Sequence, residues 1–284
     1  MIRTVIYRLE GVILNQELLR FKAYEKLWIY MRQDSRWQNF EDILKLRELY
    51  LKKRGTMEPY QDIAAHYLEE RQLNRFRQEW DLFYRKMSNF YIRAIPGMLD
   101  LNKKLNFYYK TAVIGNAGAF FDKAMKKFGL DYNFNIILSQ STPMDESETH
   151  SLLQEILRKS RAAPEETVLF SERLHPDISA GEMLGLHTVW VTFDSKTKGF
   201  TPQSIRERQY MASLSRVPER LPARSMAMRQ PFAVARKPRD LEKIIARLEE
   251  GEKLPRPLQP EEEKKQFTLW DIAKEILNIP DFDK

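Results

Sequence analysis

The side chains able to do chemistry in this chain are few and unevenly placed. Glu10 stands two residues after Arg8, just past the apolar run Thr4-Val5-Ile6-Tyr7, and Glu172 and Asp177 follow a second such run, Thr167-Val168-Leu169-Phe170. A guanidinium stays protonated and has no usable lone pair, so Arg8 can serve as a fixed positive charge but not as a nucleophile. There is no cysteine, which removes disulfides, thiol nucleophiles and thiolate metal sites. The four histidines, His66, His150, His175 and His187, lack metal-ligand spacing and read as surface or packing residues. The other concentration of charge is cationic. Residues 204–239 hold nine Lys and Arg against two Glu, which accounts for the whole net charge of +7 and leaves 38 of each sign elsewhere.

These groups need elements to position them. A length of 284 residues, 43% hydrophobic and 12% aromatic, allows one large or two modest domains with a real core and argues against general disorder. No run approaches the roughly 18–20 apolar residues of a membrane span, and the apolar start is too short for a secretory leader. The expected location is the cytoplasm. Residues 4–7 read as a buried strand broken at Glu10-Gly11. From about 17 to 89 the period becomes helical, with faces such as Leu18, Leu19, Tyr24, Leu27 and Trp28, so roughly four amphipathic helices are expected. After Pro96-Gly97, strand and helix signals alternate through His187-Thr188-Val189-Trp190-Val191, the pattern of a parallel sheet with helices on both faces. Residues 195–230 read as an extended basic loop or insertion, 232–250 as one more strand and helix, and 251–263 as a charged linker. Thr268-Leu269-Trp270-Asp271 then opens a short amphipathic helix.

Strand, helical block and alternating body in that order resemble the haloacid dehalogenase (HAD) superfamily with a helical cap inserted after the first strand. Val5–Leu14 lies on the family's first motif, an apolar strand followed by Asp-x-Asp-Gly-Thr-Leu. Ile95-Pro96-Gly97 lies where the family re-enters its core, and Ala112–Asn116 on the second motif, a strand ending in Ser or Thr. Gly129-Leu130, with Phe134, copies a family corner, and Leu169–Glu172 with Asp177 lies on the fourth, acidic motif. The resemblance covers about residues 1–194 and extends through 232–250. It implies an α/β fold with a HAD-like, Rossmann-type parallel-sheet core in 1–15 and 91–194, completed by 231–250. An all-α cap occupies 16–90 and a C-terminal extension 251–284.

The same resemblance implies that the catalytic positions are degenerate. The family's aspartyl nucleophile is replaced by Arg8, its acid–base Asp by the longer Glu10, its phosphate-holding hydroxyl by Gly115 and its Lys by Ser147. Only Glu172 and Asp177 keep the acidic character of the magnesium-binding motif. Magnesium needs hard oxygen ligands, and the charge of Arg8 would repel it. The expectation is an Arg–carboxylate cluster of Arg8, Glu10, Glu172 and Asp177 that holds strand ends together with no cofactor. Mg2+ is expected only if the chain is instead a divergent phosphatase-like hydrolase using Glu10, Glu172 and Asp177. Arg8 and Asn116 could alternatively bind a small phosphorylated ligand, and His175 keeps a small chance of a role beside the fourth motif.

The basic stretch has only Tyr210 and Phe232 as aromatics and carries no recognised nucleic-acid-binding pattern, so nucleic acid is possible but not favoured. It reads either as a loop lying over the protein's own acidic surface or as a contact for an acidic protein. Candidate partner contacts are Arg216, Arg220, Arg224 and Arg229, with Trp270, Ile272 and Ile276 of the C-terminal helix. The first functional reading is a catalytically inactive binding or scaffolding subunit. The alternatives are the divergent hydrolase and a nucleic-acid-associated accessory protein.

Overall fold

The computed structural model describes residues 1–54, 59–117, 119–140, 146–217 and 231–251. The linker and the proposed C-terminal helix, with Trp270, Ile272 and Ile276, lie outside them, as do Arg220, Arg224 and Arg229.

Strand β1 (Thr4–Arg8) is buried along its whole length. Successive side chains point to opposite faces, so Val5 and Tyr7 enter one apolar layer while Ile6 enters the other. Five further strands join it: β4 (Lys110–Asn116), β5 (Ile136–Gln140), β6 (Thr167–Ser171), β7 (His187–Val191) and β8 (Ala233–Ala235). Their order is β5-β4-β1-β6-β7-β8 and every pairing is parallel. Helices α5 (Met98–Leu105), α6 (Ala119–Lys127) and α10 (Pro238–Glu249) contribute to the layer on the Tyr7 side. Helices α7 (Glu146–Ser160) and α8 (Ser179–Leu184) cover the Ile6 side. This is a three-layer α/β sandwich, the arrangement expected from the alternating signals.

After β1 the chain makes one wide turn over Leu9–Ile13 and enters the short strand β2 (Leu14–Asn15). Gly11 in that turn has φ of +79°, and a Cβ there would come within 1.8 Å of the Glu172 carboxyl carbon. Strand β2 pairs antiparallel with β3 (Arg93–Ala94), and this two-residue stem carries the cap. The cap comprises α1 (Glu17–Met31), α2 (Phe40–Arg54), α3 (Tyr60–Tyr67) and α4 (Glu70–Tyr91). Tyr24, Leu27, Ile43, Leu44, Ile63 and Phe76 are among the residues of its own apolar core.

The insertion differs from the sequence expectation. Residues 195–230 are not a loop throughout, because Ile205–Arg216 form a helix, α9, that packs on α2. Ser204 caps it, accepting from the Glu207 amide at 3.2 Å while the Glu207 carboxylate accepts from the Ser204 amide at 3.1 Å. Tyr210 of α9 and Phe200 before it are buried in the cap's core. Among the described residues no helix is long and apolar enough to cross a membrane.

Candidate functional site

Parallel α/β sheets place functional groups at the carboxyl ends of their strands. Here β1, β4 and β6 end side by side, and Arg8 is the last residue of β1. Its side chain is wholly buried. Nε lies 2.8 Å from Glu10 Oε2 and Nη1 lies 3.6 Å from Asp177 Oδ1, both charge contacts and not aligned hydrogen bonds. Nη2 donates to Asn116 Oδ1 at the end of β4. Glu10 in turn accepts from the Asn116 amide at 3.0 Å through Oε1. Asp177 is anchored from the other side, its Oδ2 accepting from Ser171 Oγ at 2.7 Å, and Ser171 Oγ accepts from the Arg173 amide. One guanidinium thus ties the turn after β1 to the ends of β4 and β6.

Burial by itself would push the Arg8 guanidinium down. The charges of Glu10 and Asp177, with a smaller contribution from Glu172, outweigh it and hold the group above its ordinary value. Arg8 is therefore a permanent cation whose field is met by carboxylates on the spot.

Glu172 does not sit in that cluster as a direct partner of Arg8. Its Oε2 receives Lys198 Nζ at 2.7 Å and its Oε1 receives Arg20 Nη2 at 3.0 Å. Lys198 also donates to Glu17 Oε1 at 2.9 Å, and Arg20 Nη1 reaches the same oxygen at 3.3 Å. Tyr210 donates its hydroxyl to the other Glu17 oxygen at 3.2 Å. Two carboxylates and two cations form a second, locally neutral network. Burial opposes ionisation of Glu172, but Lys198 and Arg20 hold its carboxyl far below the ordinary 4.5. Burial likewise opposes the Lys198 charge, and Glu172 and Glu17 raise it well above 10.5.

The remaining sequence candidates are dispersed. Gly115 lies beside the first cluster, but a Cβ there would fall 2.4 Å from the Phe121 ring, so the place of a hydroxyl side chain is taken by an aromatic edge. Ser147 is exposed on the first turn of α7 and does not line the cleft. His175 faces Ser179 Oγ at 3.3 Å. Arg216, offered as a partner contact, pairs with Glu48 of the cap at 2.8 Å while its side chain stays 44% exposed. Among the described residues no group of three or more His, Cys, Asp or Glu is arranged to hold an ion. The oxygens a magnesium ion would need are already turned toward Arg8, Arg20 and Lys198, and a divalent cation would meet three fixed positive charges.

Glu17, Arg20 and Lys198 are the participants that sequence reasoning missed. A signal for part of this was available: Ser204-x-x-Glu207 is a capping box, and recognising it would have placed α9 and Tyr210 in an ordered element. Both networks lie at the floor of a cleft of about 1360 Å³ between sheet and cap, whose upper wall includes Tyr60, Trp80 and Tyr84.

This arrangement of sheet, stem and cap is similar to solved structures of haloacid dehalogenase-like proteins. A HAD-superfamily hydrolase of subfamily IA from Geobacter sulfurreducens superposes with a TM-score of 0.56 at 15% identity, over 86% of this chain and 96% of that one. A predicted phosphatase from Clostridium acetobutylicum gives 0.55 at 14% identity, over 87% and 99%. A HAD phosphatase from Thermococcus onnurineus gives 0.53 at 15%, over 89% and 100%. The chain has a HAD-like fold, and at these identities the likeness is one of fold alone. No family model and no curated protein matches the sequence.

Proposed function

We propose that this chain is a HAD-fold protein without phosphoryl-transfer chemistry that works as a binding or scaffolding subunit. The observation that carries the reading is Arg8, buried at the end of β1 and held by Glu10, Asp177 and Asn116. Phosphoryl transfer through an enzyme-bound intermediate needs an anionic oxygen at the point of attack, and a guanidinium offers none. Loss of such a nucleophile costs several orders of magnitude in rate. Support for the transferring oxygens is also reduced, since Ser147 does not line the cleft and the Phe121 ring lies against Gly115. In this reading no magnesium is held, and contacts with a protein partner fall to residues outside the described part, Arg220, Arg224, Arg229, Trp270, Ile272 and Ile276.

The test is a phosphoester assay on the full chain with p-nitrophenyl phosphate and magnesium. No release above the buffer blank is expected, and titration calorimetry is expected to register no magnesium binding in the millimolar range. Turnover that disappears in Glu172→Ala would sink the reading. Co-purification from native extract, with and without residues 264–284, then addresses the scaffolding half: loss of a bound protein on truncation is expected.

A further inference from the structure

The cap reaches the core by two chain crossings, β2 and β3, which pair over only two residues each. A stem that short is a natural pivot. A third crossing lies on top of it. After β7 the chain passes back across the stem, and Asn15 of β2 donates its Nδ2 to the Lys198 carbonyl at 2.8 Å. Gly199, the next residue, has φ of +71°, and a Cβ on it would lie 3.2 Å from Pro96 Cγ at the core end of the stem. The backbone at 198–199 is therefore bonded to β2 and runs close to Pro96, where the chain re-enters the sheet.

From there the crossing becomes part of the cap. Phe200 and Tyr210 are buried in the cap's apolar core, and the Tyr210 ring lies 5.9 Å from Phe21 and 6.0 Å from Tyr24. Arg47 of α2 stacks over Tyr210 at 5.6 Å and donates to Ser213 Oγ at 3.1 Å. Arg206 pairs with Glu25 of α1 at 3.3 Å, and Arg216 with Glu48 of α2. Below it, the network of Glu17, Arg20, Glu172 and Lys198 joins a cap helix, the loop after β6 and the crossing itself in one buried knot. Swinging the cap away would separate these charges and expose the Phe200 and Tyr210 rings to water. Leaving buried charges unpaired is among the largest single costs a fold can incur.

We propose that residues 198–217 are a strut that locks the cap onto the core in one orientation, so that the cleft keeps a fixed width. The strut originates in the core strand β7, ends as a helix of the cap's own core, and crosses the pivot between the two. A cleft built this way admits a ligand only through its existing mouth and does not close around it. The device goes beyond the scaffolding reading and holds whether or not the site is inert.

The absence of cysteine makes the test clean, because a pair introduced at Asn74→Cys on α4 and Gln154→Cys on α7 gives the only two spin-labelling sites. Both positions are exposed. Pulsed electron resonance on the full chain is expected to give one narrow cap-to-core distance, unchanged by magnesium with inorganic phosphate. Tyr210→Ala is expected to add a second, longer population and to speed amide exchange in α1 and α2 on the order of a hundredfold, with β1 and β4 still protected. Should Tyr210→Ala lose cap helicity by circular dichroism, Lys198→Met decides, since it cuts the knot without touching the cap's apolar core. A broad or two-component distance in the parent protein overturns the strut. So does a Lys198→Met protein whose distance and α1 exchange match the parent.

Discussion

Arg8 shows what a cation buried at strand ends requires of its surroundings. A buried cation is tolerated where groups such as Glu10, Asp177 and Asn116 close on it. Arg8→Met is expected to leave the buried Glu10 and Asp177 carboxylates without their shared cation and to cost about 3–5 kcal/mol, read from urea unfolding. The Glu172 carboxyl makes a different claim, about pH. Its folded value lies below its unfolded one, so its contribution to stability is complete above about pH 4.5 and is lost as pH falls toward the folded value. Lys198 is the mirror case: its contribution is complete below about pH 10.5 and is lost only as pH climbs past that. The knot is thus fully charged across the neutral range. Glu172→Gln is expected to flatten the acid limb of the curve of unfolding free energy against pH between about pH 4.5 and 3; an acid limb as steep as the parent's would contradict the assignment.

At the scale of elements, α9 carries the main difference between sequence and structure. Its arginines and modest apolar content read as part of an extended basic loop, yet Tyr210 and Val217 are buried and the helix completes the cap. The helix is specified by its neighbour: alone, a dozen residues with so narrow an apolar face would be marginal in water. Its start is local, however. Ser204→Ala removes the acceptor for the Glu207 amide and is expected to cost about 1 kcal/mol, seen as faster amide exchange at 205–208. Arg216→Ala, which removes a half-exposed pair with Glu48, is expected to cost less than about 1 kcal/mol in the same measurement. The turn after β1 is more demanding. Gly11→Ala would need a left-handed backbone and the space held by Glu172, so a loss of about 1–3 kcal/mol in thermal unfolding is expected.

For the whole molecule, the basic stretch that holds the net charge of +7 is not one uniform loop. Two of its arginines, Arg206 and Arg216, are paired to cap carboxylates. Arg236, Lys237 and Arg239 lead into and begin α10, whose capping group Asp240 accepts from the Arg236 and Lys237 amides. Two of these cations are thus paired within the fold, while Arg208, Arg236, Lys237 and Arg239 keep exposed side chains. The same integration joins body to cap: the sheet lends the segment after β7 to the cap, and the cap lends Glu17 and Arg20 to the strand ends. Two-state loss of both together on heating is the expected behaviour, with coincident transitions in far-UV circular dichroism and tryptophan fluorescence; separated transitions would show that cap and core melt independently.

Periodicity and composition alone determined the strand-helix alternation, the four-helix block and the place of Arg8, Glu10 and Asp177 near strand ends. Those features depend on residue type and on spacing within a few positions, which a chain displays in order. The partners of Glu172, the role of Lys198 and the burial of Tyr210 were decided only by tertiary structure. Glu17 and Lys198 stand 181 residues apart, and Arg20 and Glu172 stand 152 apart. No local pattern encodes such pairs. They form because an uncompensated charge is costly to bury, and folding brings compensating charges together from distant parts of the chain.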